Sequence, residues 1–98
     1  MKVSKLADKI MKVMYRDFME TGNETSTADD FVSMFSDEPA HIVYAAIRML
    51  SVDGFLTVSY SDNEPDNLSL NVSSIRECDE NTALKKGYSF VKEIRSWF

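Results

Sequence analysis

Ninety-eight residues, 44% of them hydrophobic and 28% charged, with three Gly and two Pro, exclude a disordered or low-complexity chain. A chain this long builds one hydrophobic core, so residues 1–98 read as a single domain. A formal net charge of −5 argues against a surface made for nucleic acid throughout, and a single cysteine excludes an internal disulfide.

The first residues, Met1-Lys2-Val3-Ser4-Lys5-Leu6-Ala7-Asp8-Lys9, carry a lysine every three or four positions with no apolar run behind them, unlike a secretion signal. No stretch approaches the length of a membrane span. With nothing that asks for an oxidising compartment, the expectation is a cytoplasmic protein that does not meet a membrane.

Leu6, Ile10, Val13, Met14 and Phe18 recur at helical spacing and predict a helix over residues 4–20, stopped by Gly22-Asn23. Met11, Tyr15 and Met19 widen its apolar stripe. Thr27, with Asp30 three positions on, resembles a capping box and opens a short helix over 28–36 that buries Phe31, Val32 and Phe35. After the break Ser36-Asp37-Glu38-Pro39, in which Ser36 or Asp37 can cap, a third helix runs to about Val52. Ile42, Val43, Ala46, Ile47 and Leu50 form its inward stripe, and His41, Tyr44, Arg48 and Ser51 the opposite one. Gly54 suits the left-handed turn that ends it. Residues 55–60 and 68–73 read as two strands of a hairpin around a long polar loop, Ser61 to Asn67. A polar link over 76–80 leads to a final helix, about 82–98, capped by Asn81.

These elements make an α+β chain. The segment Ile47-Arg48-Met49-Leu50-Ser51-Val52-Asp53-Gly54-Phe55-Leu56 resembles the passage from third helix to wing in winged helix-turn-helix proteins. The segment Thr82-Ala83-Leu84-Lys85-Lys86-Gly87-Tyr88-Ser89-Phe90-Val91 is similar to the stretch after the wing in small bacterial and phage members. Regulators of the PadR and MarR type and the YjcQ-like family share this layout. The resemblance implies three helices, a two-stranded β-hairpin wing and a C-terminal helix. Both motifs are structural, so they carry no functional residue across.

Catalytic parts are missing from the pattern. His41 is the only histidine and has no serine or cysteine at a recognisable spacing. Cys78 sits in Arg76-Glu77-Cys78-Asp79-Glu80, whose carboxylates disfavour a thiolate. Asp62, Glu64 and Asp66 alternate like calcium ligands, but Asn67 and Ser73 stand where a calcium loop needs Gly and Glu. The expectation is a non-enzyme with no cofactor or metal.

Charge then divides the chain. Residues 1–22 hold five basic groups (Lys2, Lys5, Lys9, Lys12, Arg16) against three acidic (Asp8, Asp17, Glu20). Residues 23–66 hold nine acidic groups (Glu24, Asp29, Asp30, Asp37, Glu38, Asp53, Asp62, Glu64, Asp66) against Arg48 alone. In the winged-helix mode the third helix enters the major groove and needs cations for phosphate. Two functions therefore stand side by side. In one, an acidic face that includes Asp29, Asp30, Asp37 and Glu38 meets a basic protein surface or mimics DNA toward a DNA-binding partner. In the other, the chain is a sequence-specific transcriptional regulator that reads bases with His41, Tyr44, Arg48 and Ser51 on helix 39–52 and touches DNA with the 55–74 wing. The acidic block favours the first. The apolar surplus of Met11, Tyr15, Phe90, Ile94, Trp97 and Phe98 also predicts a homodimer through the terminal helices.

Overall fold

The computed structural model describes residues 1–95. Its elements run α1 (Val3–Thr21), β1 (Thr25–Thr27), α2 (Ala28–Met34), α3 (Ala40–Val52), β2 (Leu56–Ser61), β3 (Glu64–Leu70), α4 (Val72–Glu77), α5 (Glu80–Lys85) and α6 (Phe90–Arg95). The fold is α+β: among the described residues there are six helices and one antiparallel sheet in the order β1-β3-β2. None of the helices in the described residues is long and apolar enough to cross a membrane.

The helical stripe of α1 buries Leu6, Ile10, Met11, Met14 and Tyr15. It packs on α3, whose inward residues Val43, Ala46, Ile47 and Leu50 are also buried. Thr27 caps α2 as the spacing predicts, its hydroxyl accepting from the Asp30 amide at 3.2 Å. At α3 the N-cap is Pro39, without a side-chain cap, in place of Ser36 or Asp37. The α3 C-terminus closes with Gly54 at φ +83°, the Phe55 amide donating to Leu50 O and the Gly54 amide to Ser51 O. That pair of bonds satisfies carbonyls the helix end would otherwise leave open.

The sheet has three strands where the hairpin alone was expected. Thr25 to Thr27 pair with Ser69 to Asn67, which places β3 in the middle. The hairpin turn is also tighter than the polar loop predicted. Asp62 (φ 53°) and Asn63 (φ 65°) make the whole connection, two residues in the left-handed region that suits the twist of a hairpin. Leu56 lies opposite Leu70 and Val58 opposite Leu68, so one face of the hairpin enters the core.

The C-terminal third departs most from expectation. Residues 72–77 form α4, where residues 72 and 73 were expected to end a strand and 76 and 77 to begin a polar link. The single helix over 82–98 is instead α5 and α6, separated at Gly87. Asp79, not Asn81, caps α5, accepting from the amides of Asn81 and Thr82. Gly87 has φ +93°, and a Cβ there would lie 3.0 Å from Ser4 of α1. Only glycine combines that backbone angle with that approach, and the helix stops there.

Asp8 then organises the last helix from the first. Its carboxylate, on a residue only 7% exposed, accepts from the Ser89 amide at 2.9 Å, the Phe90 amide at 2.6 Å and the Ser89 hydroxyl at 2.6 Å. It thereby occupies the positive end of α6 across 81 residues of sequence. Lys12 adds an ion pair to Asp8 at 3.3 Å and one to Glu93 at 3.0 Å. Burial acts to lower the Lys12 pKa, and the Glu93 and Asp8 carboxylates outweigh it and raise it.

Two tyrosines are sealed in this architecture. Burial pushes Tyr15 up to about 12, and its hydroxyl has no hydrogen-bond partner among the described residues. Tyr88 is raised by burial and by its 2.6 Å hydrogen bond to the Asp53 carboxylate. Both keep their protons in the native state at pH values where an exposed tyrosine, ordinarily 10.0, ionises. The unfolded chain then binds fewer protons than the native one, so stability falls as pH rises from about 10 through 12. In an alkaline titration the Tyr15 and Tyr88 phenolates are expected to appear, by absorbance, together with the loss of circular dichroism. Ionisation of all four tyrosines while the far-ultraviolet spectrum stays native would contradict this.

Candidate functional site

The expected recognition stripe lies along α3 with His41 and Arg48 exposed and Tyr44 and Ser51 half-buried. Arg48 is held: its Nη2 donates to the Asn63 carbonyl at 2.9 Å, joining α3 to the hairpin turn. The one side-chain cation of residues 23–66 is therefore anchored beside Asp62 and Glu64 instead of projecting as an isolated charge. The Tyr44 hydroxyl is raised by desolvation and by the negative charge of Glu64 and Asp29, an electrostatic sign of the acidic surroundings.

The acidic face divides once placed in space. Asp29 and Asp30 stand exposed in the first turn of α2, where carboxylates favour the helix dipole. Asp37 is exposed between α2 and α3, whereas Glu38 is half-buried and lies 3.3 Å from the Met1 amino group. Asp62, Glu64 and Asp66 are exposed along the hairpin. Asp53 leaves the set, because Lys86 at 3.0 Å and the Tyr88 hydroxyl at 2.6 Å take both its oxygens. Among the described residues no three or more His, Cys, Asp or Glu side chains converge as metal ligands would. Cys78 is half-buried, its thiol donating to the Asp79 carbonyl at 3.5 Å.

The expected dimer contacts require correction. Met11, Tyr15, Phe90 and Ile94 are each 0% exposed within one chain. Helices α1 and α6 need these side chains for the chain's own core, in which Phe90 meets Phe55 and Tyr88 edge-on at centroid distances of 5.0 and 5.5 Å. Trp97 and Phe98 lie outside the described residues. Leu84 is exposed, and its neighbour Ala83 is buried.

No family model, curated protein or solved structure matches the chain.

Proposed function

We propose that the chain is a non-catalytic winged-helix recognition module that binds another protein through its acidic surface. The order α1, α2, α3 and the β2–β3 hairpin supports the winged-helix part of this reading, with β1 added to the sheet edge. The observation that carries the functional part is Arg48. The lone cation of a segment with nine carboxylates is tied to the hairpin turn, and exposed acids lie on α2, on the α2–α3 turn and along the hairpin. Phosphate contacts supply much of the affinity of a winged helix for DNA, and this surface repels phosphate. A basic protein surface, including one that ordinarily holds DNA, is the complement.

Fluorescence anisotropy with labelled non-specific duplex DNA at low salt tests the reading. The expected result is no binding at the lowest salt used. Binding that weakens steeply as salt rises would report several phosphate contacts and overturn it in favour of the regulator that reads DNA with α3.

A further inference from the structure

Strand β2 is a free edge of the sheet: among the described residues β3 lies on one side of it and no strand on the other. The direction of its backbone groups follows from its neighbours. The Asn71 amide donates to Phe55 O, so that pair is hydrogen-bonded, and the Leu70 amide turns the other way, to Glu24 O. Bonded and open pairs alternate along an antiparallel ladder. Thr57 therefore bonds toward β3, and the amide and carbonyl of Val58 point off the edge. Counting from the turn agrees, because Tyr60 stands opposite Pro65, which has no amide to give.

The irregularity beside Ser59 does not blunt this edge. Val58 pairs with Leu68 and Tyr60 with Pro65, so the extra residue belongs to β3 and β2 runs unbroken. Among the described residues no hydrogen bond reaches the outward amides and carbonyls of Val58 and Tyr60. Free edges are ordinarily guarded by brevity, charge, proline or a bulge. Strand β1, at the opposite edge, is three residues long. Strand β2 has six, Leu56-Thr57-Val58-Ser59-Tyr60-Ser61, with no charge and no proline in a chain that is 28% charged. Its core-facing side chains lose cover along the strand: Leu56 is buried, Val58 half-buried and Tyr60 52% exposed.

We propose that two copies of this chain pair antiparallel through their β2 edges, about a twofold axis beside Ser59, and join their three-stranded sheets into one. In this register Val58 of each copy lies opposite Tyr60 of the other, and the two pairs form about four backbone hydrogen bonds. A half-covered valine thereby meets an exposed tyrosine, an aromatic and β-branched cross-strand pair. On the other face the two Ser59 meet and each Thr57 faces Ser61, all of them exposed hydroxyls. This self-match selects a second copy, together with charge. The two residues with apolar surface left to cover are each other's complement across the axis, and a chain of net charge −5 brings no carboxylate to the contact. Across the axis the Asp66 residues stand about 14 Å apart and the Asp62 residues about 20 Å, against a screening length of about 8 Å. The pairing does not depend on what the acidic surface binds.

The test uses the whole chain. Sedimentation equilibrium from about 10 µM to about 1 mM is expected to show monomer and dimer with a Kd on the order of 100 µM, since strands this short bury less than the ~1,200 Å² of a standard interface. Diluting the nitrogen-15-labelled chain over the same range is expected to move the Val58 and Tyr60 amide shifts most within β2, and those of Thr57 and Ser61 least. Ser59→Lys and Ser59→Asp each set like charges face to face at a Cα separation of about 4.5 Å, and each is expected to weaken dimerisation about tenfold or more. Mixed in equal amounts, the two variants are expected to restore it, which separates a lost contact from a misfolded chain. A monomer at about 1 mM, a dimer that both variants leave unchanged, or a mixture no tighter than either variant alone overturns the proposal. Dilution shifts centred on α1 and α6 would put the contact on the terminal helices and overturn it too. A chain that stays monomeric yet binds an uncharged extended peptide at Val58 and Tyr60 would give the edge to another protein's strand and overturn the second copy. Salt-sensitive duplex DNA binding would instead remove the protein-interaction reading and leave this pairing standing.

Discussion

Asp8→Ala is expected to destabilise the protein by about 3–5 kcal/mol, a large share of the ~5–15 kcal/mol that holds a small domain together. The carboxylate receives the Ser89 and Phe90 amides, the Ser89 hydroxyl and the Lys12 ammonium. Alanine leaves two backbone donors at the start of α6 unsatisfied and removes one of the two carboxylates that pair with Lys12. Asp8→Asn keeps one acceptor oxygen and is expected to lose less, about 1–3 kcal/mol. Urea unfolding measures both losses, and amide exchange locates them. Protection should fall first over residues 89–94. A loss below about 1 kcal/mol in Asp8→Ala would show that water replaces the carboxylate without penalty.

Phe90→Ala is expected to destabilise the isolated chain by a similar amount, about 3–5 kcal/mol. The ring sits in a three-way cluster with Phe55 and Tyr88, packed edge-to-face, and nothing in its wholly buried position lets neighbours collapse easily into the space. The effect should be the same at two protein concentrations tenfold apart. A residue at a dimer interface would instead give an unfolding midpoint that rises with concentration in the parent and loses that dependence in the variant. That second pattern would restore Phe90 to the interface that its position near the end of the chain first suggested.

The difference between those two readings of Phe90 marks where sequence patterns stop being informative here. Helix α1 was legible because Leu6, Ile10 and Met14 repeat at helical spacing, and the start of α2 because Thr27 and Asp30 form a cap. The end of α3 was legible because Gly54 follows the last inward residue at the correct distance. Strand β1 was not. Thr25-Ser26-Thr27 has no apolar alternation, and it becomes a strand only by pairing with residues 67–69. The break between α5 and α6 had a local signal in Gly87, but apolar periodicity runs across it, and the close approach that requires glycine there comes from Ser4 on another helix. Surplus apolar residues at both ends looked like an interface because a stripe on one helix does not reveal that it faces a stripe on the other.

The candidate surface was legible to the same degree. The excess of acid over residues 23–66 is plain from counting, and Asp29, Asp30 and Asp37 are indeed exposed. Counting by segment hid two things. It included Asp53, which serves Tyr88 and Lys86, and it averaged Glu20 with the lysines of the same helix. Glu20 of α1 and Asp30 of α2 line one pocket, and no one-dimensional total joins those two positions. Arg48 carried the opposite lesson. As the single cation of its region it looked like a reader of bases, and its partner, the Asn63 carbonyl, is a backbone atom that no residue type announces.

The bond between Asp8 and the start of α6 sets the order in which a ribosome can deliver a finished molecule. The carboxylate is made well before the amides that satisfy it, which follow it by 81 and 82 residues. Until α6 is made, α1 has one buried-to-be charge without its donors and one flank of its apolar stripe uncovered. Contacts of such long reach form slowly, since the chain between them must be closed before they reward it. A nascent chain of this protein is therefore most exposed to wrong partners in the interval before α6 is made, and residues 89 and 90 act as the clasp that ends it.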